Sequence, residues 1–144
     1  SGLVPHDAGS FVAARPAGWK TEADAEPHGE YFETRWRSRN DPNTSVTIDW
    51  TPGTTGTARS NAAGVRAQTN VDRELRFANT NLAGQPAAQW VFDKGADRRV
   101  DFFVNACGTG YAILGSTSIG DYAKYRGLFR RVARSVAENA GHCR

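Results

Sequence analysis

The chain of 144 residues contains no methionine and only two cysteines, and each scarcity excludes something. Without methionine it holds no translation start, so the expectation is a processed product or a piece of something longer. Cys107 and Cys143 are too few for a disulfide scaffold and too far apart for a CxxC motif. No apolar run approaches the roughly 20 residues that span a bilayer, and no signal-peptide core is visible. Charge of one sign is missing as well. Lys and Arg outnumber Asp and Glu by 18 to 15, which falls short of the basic stripe that nucleic acid demands. The histidines His6, His28 and His142 have no second ligand one helical turn away, so no metal and no cofactor is expected and the rings read as solvated.

What remains suits one ordinary domain. With 39% hydrophobic and 23% charged residues the chain is globular rather than disordered. Its length allows a core to form without metal or disulfide staples. The opening "SGLVP", residues 1–5, resembles an expression-vector remnant, which leaves 6–144 as a single domain.

Period-two alternation dominates the chain. In "YFETRWRSR", Phe32, Thr34 and Trp36 oppose Tyr31, Glu33, Arg35 and Arg37; in "NTSVTIDWT", Val46, Ile48 and Trp50 oppose Thr47, Asp49 and Thr51. This is the pattern of half-buried strands, and "NDPN" between them predicts a hairpin. "RELRFANTNLAG" and "QPAAQWVFD" read as two further strands. "RVDFFVNAC" and "GYAILGS" complete a three-stranded meander with the second of these. A short strand over 10–15 ends at the turn Pro16-Ala17-Gly18, whereas "TEADAEPHGE" reads as a loop because of Pro27 and Gly29.

Two helices are expected. One covers 57–70 with Ala58, Ala62 and Val65 as its buried stripe. The other begins after Ser118 and Asp121, which resemble a capping box, and lines up Tyr122, Tyr125, Phe129, Val132 and Val136 on one face before Gly141. Strands, one helix, more strands and one helix, joined by short turns, define an α+β domain: an antiparallel sheet flanked by helices.

The stretches that could carry chemistry read plainly. Gly108, Gly110 and Gly115 in "NACGTGYAILG" suggest a phosphate loop, but a strand follows them where a helix N-terminus is needed, so they are expected to serve a β-turn. Asp49, Asp93 and Asp101 fall on faces that alternate with apolar residues and read as ordinary surface carboxylates. Ser116, Thr117 and Ser118 lack a GxSxG elbow and are assigned to helix capping. Trp36 in "WRSR" reads as core. Lys124, Arg126, Arg130, Arg131 and Arg134 form either a surface for an anionic partner or a solvated helix face.

The two cysteines leave two arrangements open. Cys107 is a buried free thiol and Cys143 an exposed one, or a bridge pins the tail back onto the sheet. A bridge would close a loop of about 37 residues, stabilise the fold by roughly 4 kcal/mol and imply an oxidising, extracytoplasmic compartment. The bridge is the expectation, since Cys143 lies just beyond the last helix.

"VPHDAGSFVAARPAGWK", "GQPAAQWVFD", "RRVDFFVNACGTGYAILGST" and "YAKYRGLFRRVARSV" together resemble extracytoplasmic domains of actinobacterial proteins, attached to membrane-anchored Ser/Thr protein kinases or to lipoproteins. Trp19, Trp90, Tyr111, Ala112, Phe129 and Ser135 occupy the matching places. The resemblance implies a PsbP-like α/β/α sandwich and a domain tethered to the membrane through its parent chain. It supplies no catalytic motif. The leading expectation is therefore a non-enzymatic extracellular sensor or ligand-binding domain for an unidentified ligand or protein. The competing one is a secreted or lipoprotein interaction module without a signalling role. A third is an enzyme whose site assembles from scattered Asp, Ser and Arg residues.

Overall fold

The structure, a computed structural model, describes residues 2–142. Strands β1 (Leu3–Asp7) and β2 (Val12–Pro16) form a separate antiparallel hairpin, so residues 3–5 belong to a paired strand. The main sheet contains β3 (Lys20–His28), β4 (Tyr31–Arg37), β5 (Ser45–Pro52), β6 (Arg73–Leu82), β7 (Gln85–Lys94), β8 (Asp97–Ala106) and β9 (Thr109–Ser118). Their spatial order is β3-β4-β5-β9-β8-β7-β6, antiparallel throughout. Helix α1 (Ala58–Ala67) connects β5 to β6, and α2 (Tyr122–Ala140) follows β9 after a 3-10 turn at Ile119–Asp121. The expected α+β class, an antiparallel sheet flanked by helices, is the one observed.

Alternation along each strand sorts side chains onto two faces, and each face has its own core. On the first, Trp36, Val46, Ile48, Trp50, Val100, Phe102, Val104 and Ile113 are buried beneath α2 and the β1–β2 hairpin. From the helix come Phe129, Val132, Ala133, Val136, Ala137 and Ala140, the stripe that the three-and-four spacing predicts, with Tyr122 and Tyr125 half-buried above them. The hairpin is fixed to the helix by the Ala14 amide, which donates to Ser135 Oγ at 2.9 Å. Phe11 meets Trp50 and Tyr111 edge-on at 4.8 and 5.4 Å. On the second face a smaller cluster of Ala88, Trp90, Phe92 and Phe103 is covered by Ala58 and Ala62 of α1.

The glycine-rich turn is now explicit. Ala106 pairs with Thr109, so the loop between β8 and β9 is two residues, Cys107 and Gly108, with φ of 53° and 76°. Two positive φ values are what a twisted two-residue hairpin requires. Gly115 serves a different end: a Cβ there would collide with the ring of Phe129, so its bareness lets α2 seat on the sheet.

Several local expectations need correction. The 20–28 segment is a strand rather than a loop. It sits at the sheet edge, where Pro27 costs no internal ladder bond, and it absorbs two register shifts around Ala23, with Ala25 at φ 48°. The first strand of the 10–15 region runs Val12–Pro16. Helix α1 ends at Ala67 and its Val65 is 42% exposed, because only Ala58 and Ala62 face the sheet. Ser118 makes no side-chain cap, since the 3-10 turn intervenes before α2. The capping box lies instead on α1, where the Ser60 amide donates to Thr57 Oγ1 and the Thr57 amide to Ser60 Oγ, both at 3.0 Å. Ser116, Thr117 and Ser118 are residues of β9, with Thr117 buried and hydrogen-bonded to Thr44 at 2.8 Å.

Candidate functional site

Helix α1 is too short to roof its whole face. It packs on β7 and β8 through Ala58 and Ala62, and the strip formed by β4, β5 and β9 lies outside its cover. Where the edge of the helix meets this strip, a hollow of about 300 Å³ opens. Its floor is Gly110 and Ala112 of β9, and a Cβ at Gly110 would run into the side chain of Thr54, which also lines the hollow. Small residues on the central strand thus make the depression. Tyr31 stands on one side, Phe103 and Asn105 on the other, and Asn61 and Val65 come down from α1.

Asp49 of β5 also lines this hollow. Its Oδ1 is buried without a hydrogen-bond partner, and burial followed by repulsion from Glu33 pushes its carboxyl up to about 6. Asp101 of β8 lies on the same face and is only 8% exposed. Burial, then the Asp49 charge, pushes it up to about 8, and its Oδ1 also lacks a donor. Burial thus favours the protonated form of both acids, and more strongly that of Asp101. These two are not the surface carboxylates that alternation suggests. Asp93 is not one either: it is buried on the α2 face and bound by Arg98 at 2.7 and 3.0 Å, which holds it below the usual carboxylate range. A signal for Asp101 was available in "VDFFV", where Phe103, two residues on and on the same face, already argues against open water.

Beyond the carboxyl pair the open strip turns basic. Arg35 and Arg37 bind Glu22 at 3.2 and 3.0 Å and, with Arg99, line a second, more polar hollow. The Nε of Arg99 is buried without a partner. Trp36, between the two β4 arginines, is core as expected, with no exposed surface. Of the histidines, His28 and His142 are exposed as the sequence suggests, and His6 is half-buried. His6 binds Asp24 at 2.8 Å and meets Trp36 edge-on, while His28 stacks on Tyr31 with Glu33 at 3.3 Å. Among the described residues no three His, Cys, Asp or Glu side chains come together to hold a metal ion.

The five basic residues of α2 do not act as one patch. Lys124 is drawn to Asp41 at 3.4 Å, which also accepts the Tyr125 hydroxyl. Arg126 and Arg130 border a hollow of about 430 Å³ at the edge of the α2 face, joined there by Gln89, Phe102, Tyr122 and Arg76 of β6. Arg130 is oriented by donating to Thr80 Oγ1 at 3.1 Å and to the Asn81 carbonyl at 3.3 Å. Arg131 and Arg134 are exposed elsewhere on the helix. Arg76 escapes sequence reasoning because the bulge between Glu74 and Arg76 breaks the alternation of β6.

The predicted bridge between Cys107 and Cys143 involves a residue, Cys143, outside the described ones. Cys107 is exposed at the β8–β9 turn, not buried, and its Sγ lies 3.3 Å from the carbonyl oxygen of Ala140, the last residue of α2.

This combination, an antiparallel sheet between a long helix with a strand hairpin on one face and a short helix on the other, is a PsbP-like α+β fold. Cyanobacterial PsbP (CyanoP) from Synechocystis sp. PCC 6803 superimposes with a TM-score of 0.67 at 13% identity, over 93% of this chain and 91% of that one. The Saccharomyces cerevisiae Ran-binding protein Mog1p follows the same path with a TM-score of 0.56 at 10% identity, over 98% and 92%. Pseudomonas aeruginosa PA94 does so with 0.54 at 11%, over 94% and 96%. At these identities the likeness is one of fold. No protein-family model matches the sequence, and no curated protein matches it significantly. The residues of the sequence resemblance are mostly structural: Trp90, Tyr111 and Phe129 are buried, Ser135 ties β2 to α2, and Trp19 packs edge-on to Tyr125 at 6.2 Å.

Proposed function

We propose that this chain is a non-catalytic, extracytoplasmic ligand-binding domain that serves a membrane-anchored parent, of the kind attached to actinobacterial Ser/Thr protein kinases. The hollow beneath α1 carries the reading. It is concave, largely apolar and equipped with few polar groups, the usual make-up of a small-molecule site. Its lining offers a carboxyl, two amides and Thr and Tyr residues but no Ser, Cys, Lys or His beside Asp49, so no nucleophile–base pair of the common kind is assembled there, which favours binding over turnover. Occupancy would be passed on through α1, which contributes Asn61 and Val65 to the lining.

The extracytoplasmic part draws support from Cys107, whose sulfur stands 3.3 Å from the carbonyl oxygen of Ala140 at the end of α2, three residues before Cys143 in the sequence. Titration of thiols in the denatured chain without reductant is expected to find none, and two reactive thiols would reject the bridge. The binding part is tested by a thermal-shift screen on the wild type and on Val65→Trp, which plugs the mouth of the hollow. A ligand confined to the native state raises the melting temperature. Shifts that vanish in the plugged variant are expected, and shifts that persist in it would move the site elsewhere.

An interaction module without a signalling role is the second reading, favoured by the convergence of Arg76, Arg126 and Arg130 around one hollow. Mog1p is named as a Ran-binding protein, so this fold can present a protein-binding surface. An acidic partner is the expected kind. Arg126→Glu together with Arg130→Glu would abolish its capture while leaving the hollow under α1 intact.

A further inference from the structure

We infer that the hollow beneath α1 binds a small organic cation, an ammonium group carrying an aromatic or aliphatic body, with Asp49 as its counter-ion. The inference rests on the ligand-binding reading above and specifies its chemistry. Asp49 is the one acid or base in the lining apart from tyrosine hydroxyls. The rings of Tyr31 and Phe103 and the side chain of Val65 supply apolar walls, and an aromatic face attracts a cation as well as an apolar body. Asn105 donates to the Gly56 carbonyl at 3.1 Å, which leaves its amide oxygen to accept from an N–H.

The charges around Asp49 show why it lacks a partner of its own. On β4, Glu33 is already matched by Arg35 at 3.2 Å and by His28 of β3 at 3.3 Å. On β8, Asp101 adds a second acid, whereas Arg99 lines the hollow at the other end of the strip. Helix α1 sends Asn61 and Val65 into the site, but its Arg59 and Arg66 lie over the Phe77 ring at 4.1 and 4.5 Å. Asp49 is thus a part-buried carboxylate with one oxygen cut off from water and from every donor. Such an ion is costly to hold, and an ammonium bound against the part of the carboxylate that lines the hollow supplies the opposite charge it lacks. An anionic ligand would meet repulsion instead.

The sign of the pH dependence follows. The ammonium pairs with ionised Asp49, so affinity is full above about 6 and falls roughly tenfold per pH unit below it. Calorimetric titration of the whole chain with phenethylammonium, benzyltrimethylammonium and the neutral phenethyl alcohol provides the test, at about pH 7.5 and about pH 5. Both cations are expected to bind at least tenfold more tightly than the alcohol, and to weaken by about tenfold at the lower pH. Asp49→Asn should lose that preference and that pH dependence, Val65→Trp should lose all binding, and Glu138→Gln, exposed on α2 and away from the hollow, should keep the wild-type profile. Circular dichroism confirms that each variant is folded. Equal binding of cation and alcohol, blocked by Val65→Trp, would overturn the cation class and leave the pocket standing. Unchanged cation binding in Asp49→Asn would overturn the role of Asp49. If neither cation binds at millimolar concentration, this inference fails, while the ligand-binding reading stands or falls on the wider screen.

Discussion

Two helices cover opposite faces of one sheet, and they do so by unequal means. Helix α2 spends 19 residues and buries six of them against large aliphatic and aromatic side chains, with the β1–β2 hairpin closing the rest of the layer. Helix α1 has 10 residues and buries two alanines. One face therefore supplies most of the packing, while the other remains partly open and keeps polar groups out of water without pairing them. The Asp49–Asp101 pair and the apolar hollow sit on that second face, which places the incompletely paired acids where cover is incomplete.

The sharpest way to break this contrast is to remove a large side chain from the well-covered face. Phe129→Ala is expected to cost about 3–5 kcal/mol, because the ring is fully buried and fills the space over Gly115. A denaturant titration would measure it, and a loss below about 1 kcal/mol would show that this face is not the main core.

Next in size is the acid on the lightly covered face. The folded chain holds Asp101 protonated up to about 8, whereas the unfolded value is 3.8. Between these values the folded state binds a proton that the unfolded state releases, so stability falls as pH rises across that range. Asp101→Asn should remove this slope and leave the variant more stable by on the order of 2–4 kcal/mol at about pH 8. Melting curves from pH 4 to 9 would read it, and a parallel profile for the two proteins would contradict the burial argument.

Smaller effects test α1 itself. Ala62→Gly is expected to cost about 1–2 kcal/mol, from the lost helix propensity and the buried methyl group. Val65→Ser, at an exposed position on the same helix, should stay within about 0.5 kcal/mol of wild type in the same titration. Equal losses at the two positions would mean that the helix rotates to bury Val65.

Much of this architecture was legible before any coordinates. The strands followed from alternation because a half-buried sheet imposes period two, and α2 followed because its apolar stripe is long and made of large residues. The 20–28 strand was hidden because bulges interrupt its alternation and Pro27 imitates a loop. The helix cap was misplaced because Ser118–Asp121 and Thr57–Ser60 look alike as letters, and only the backbone path decides which side chain reaches an amide. The site was least legible of all. Alternation assigns Asp49 and Asp101 to a face, but it is silent on whether that face meets water, a helix or a shallow hollow. Nor could it bring Arg76 together with Arg126 and Arg130, some fifty residues further along the chain.

What the chain determined locally is its strands, its two-residue turn at Cys107-Gly108 and the apolar stripe of α2, since each depends on neighbours a few residues away. What only tertiary structure decided is which face α1 leaves uncovered, which acids lose their water and which side chains converge from distant strands. Those outcomes depend on the sum of desolvation and packing from several elements at once, and no single stretch of sequence contains that sum.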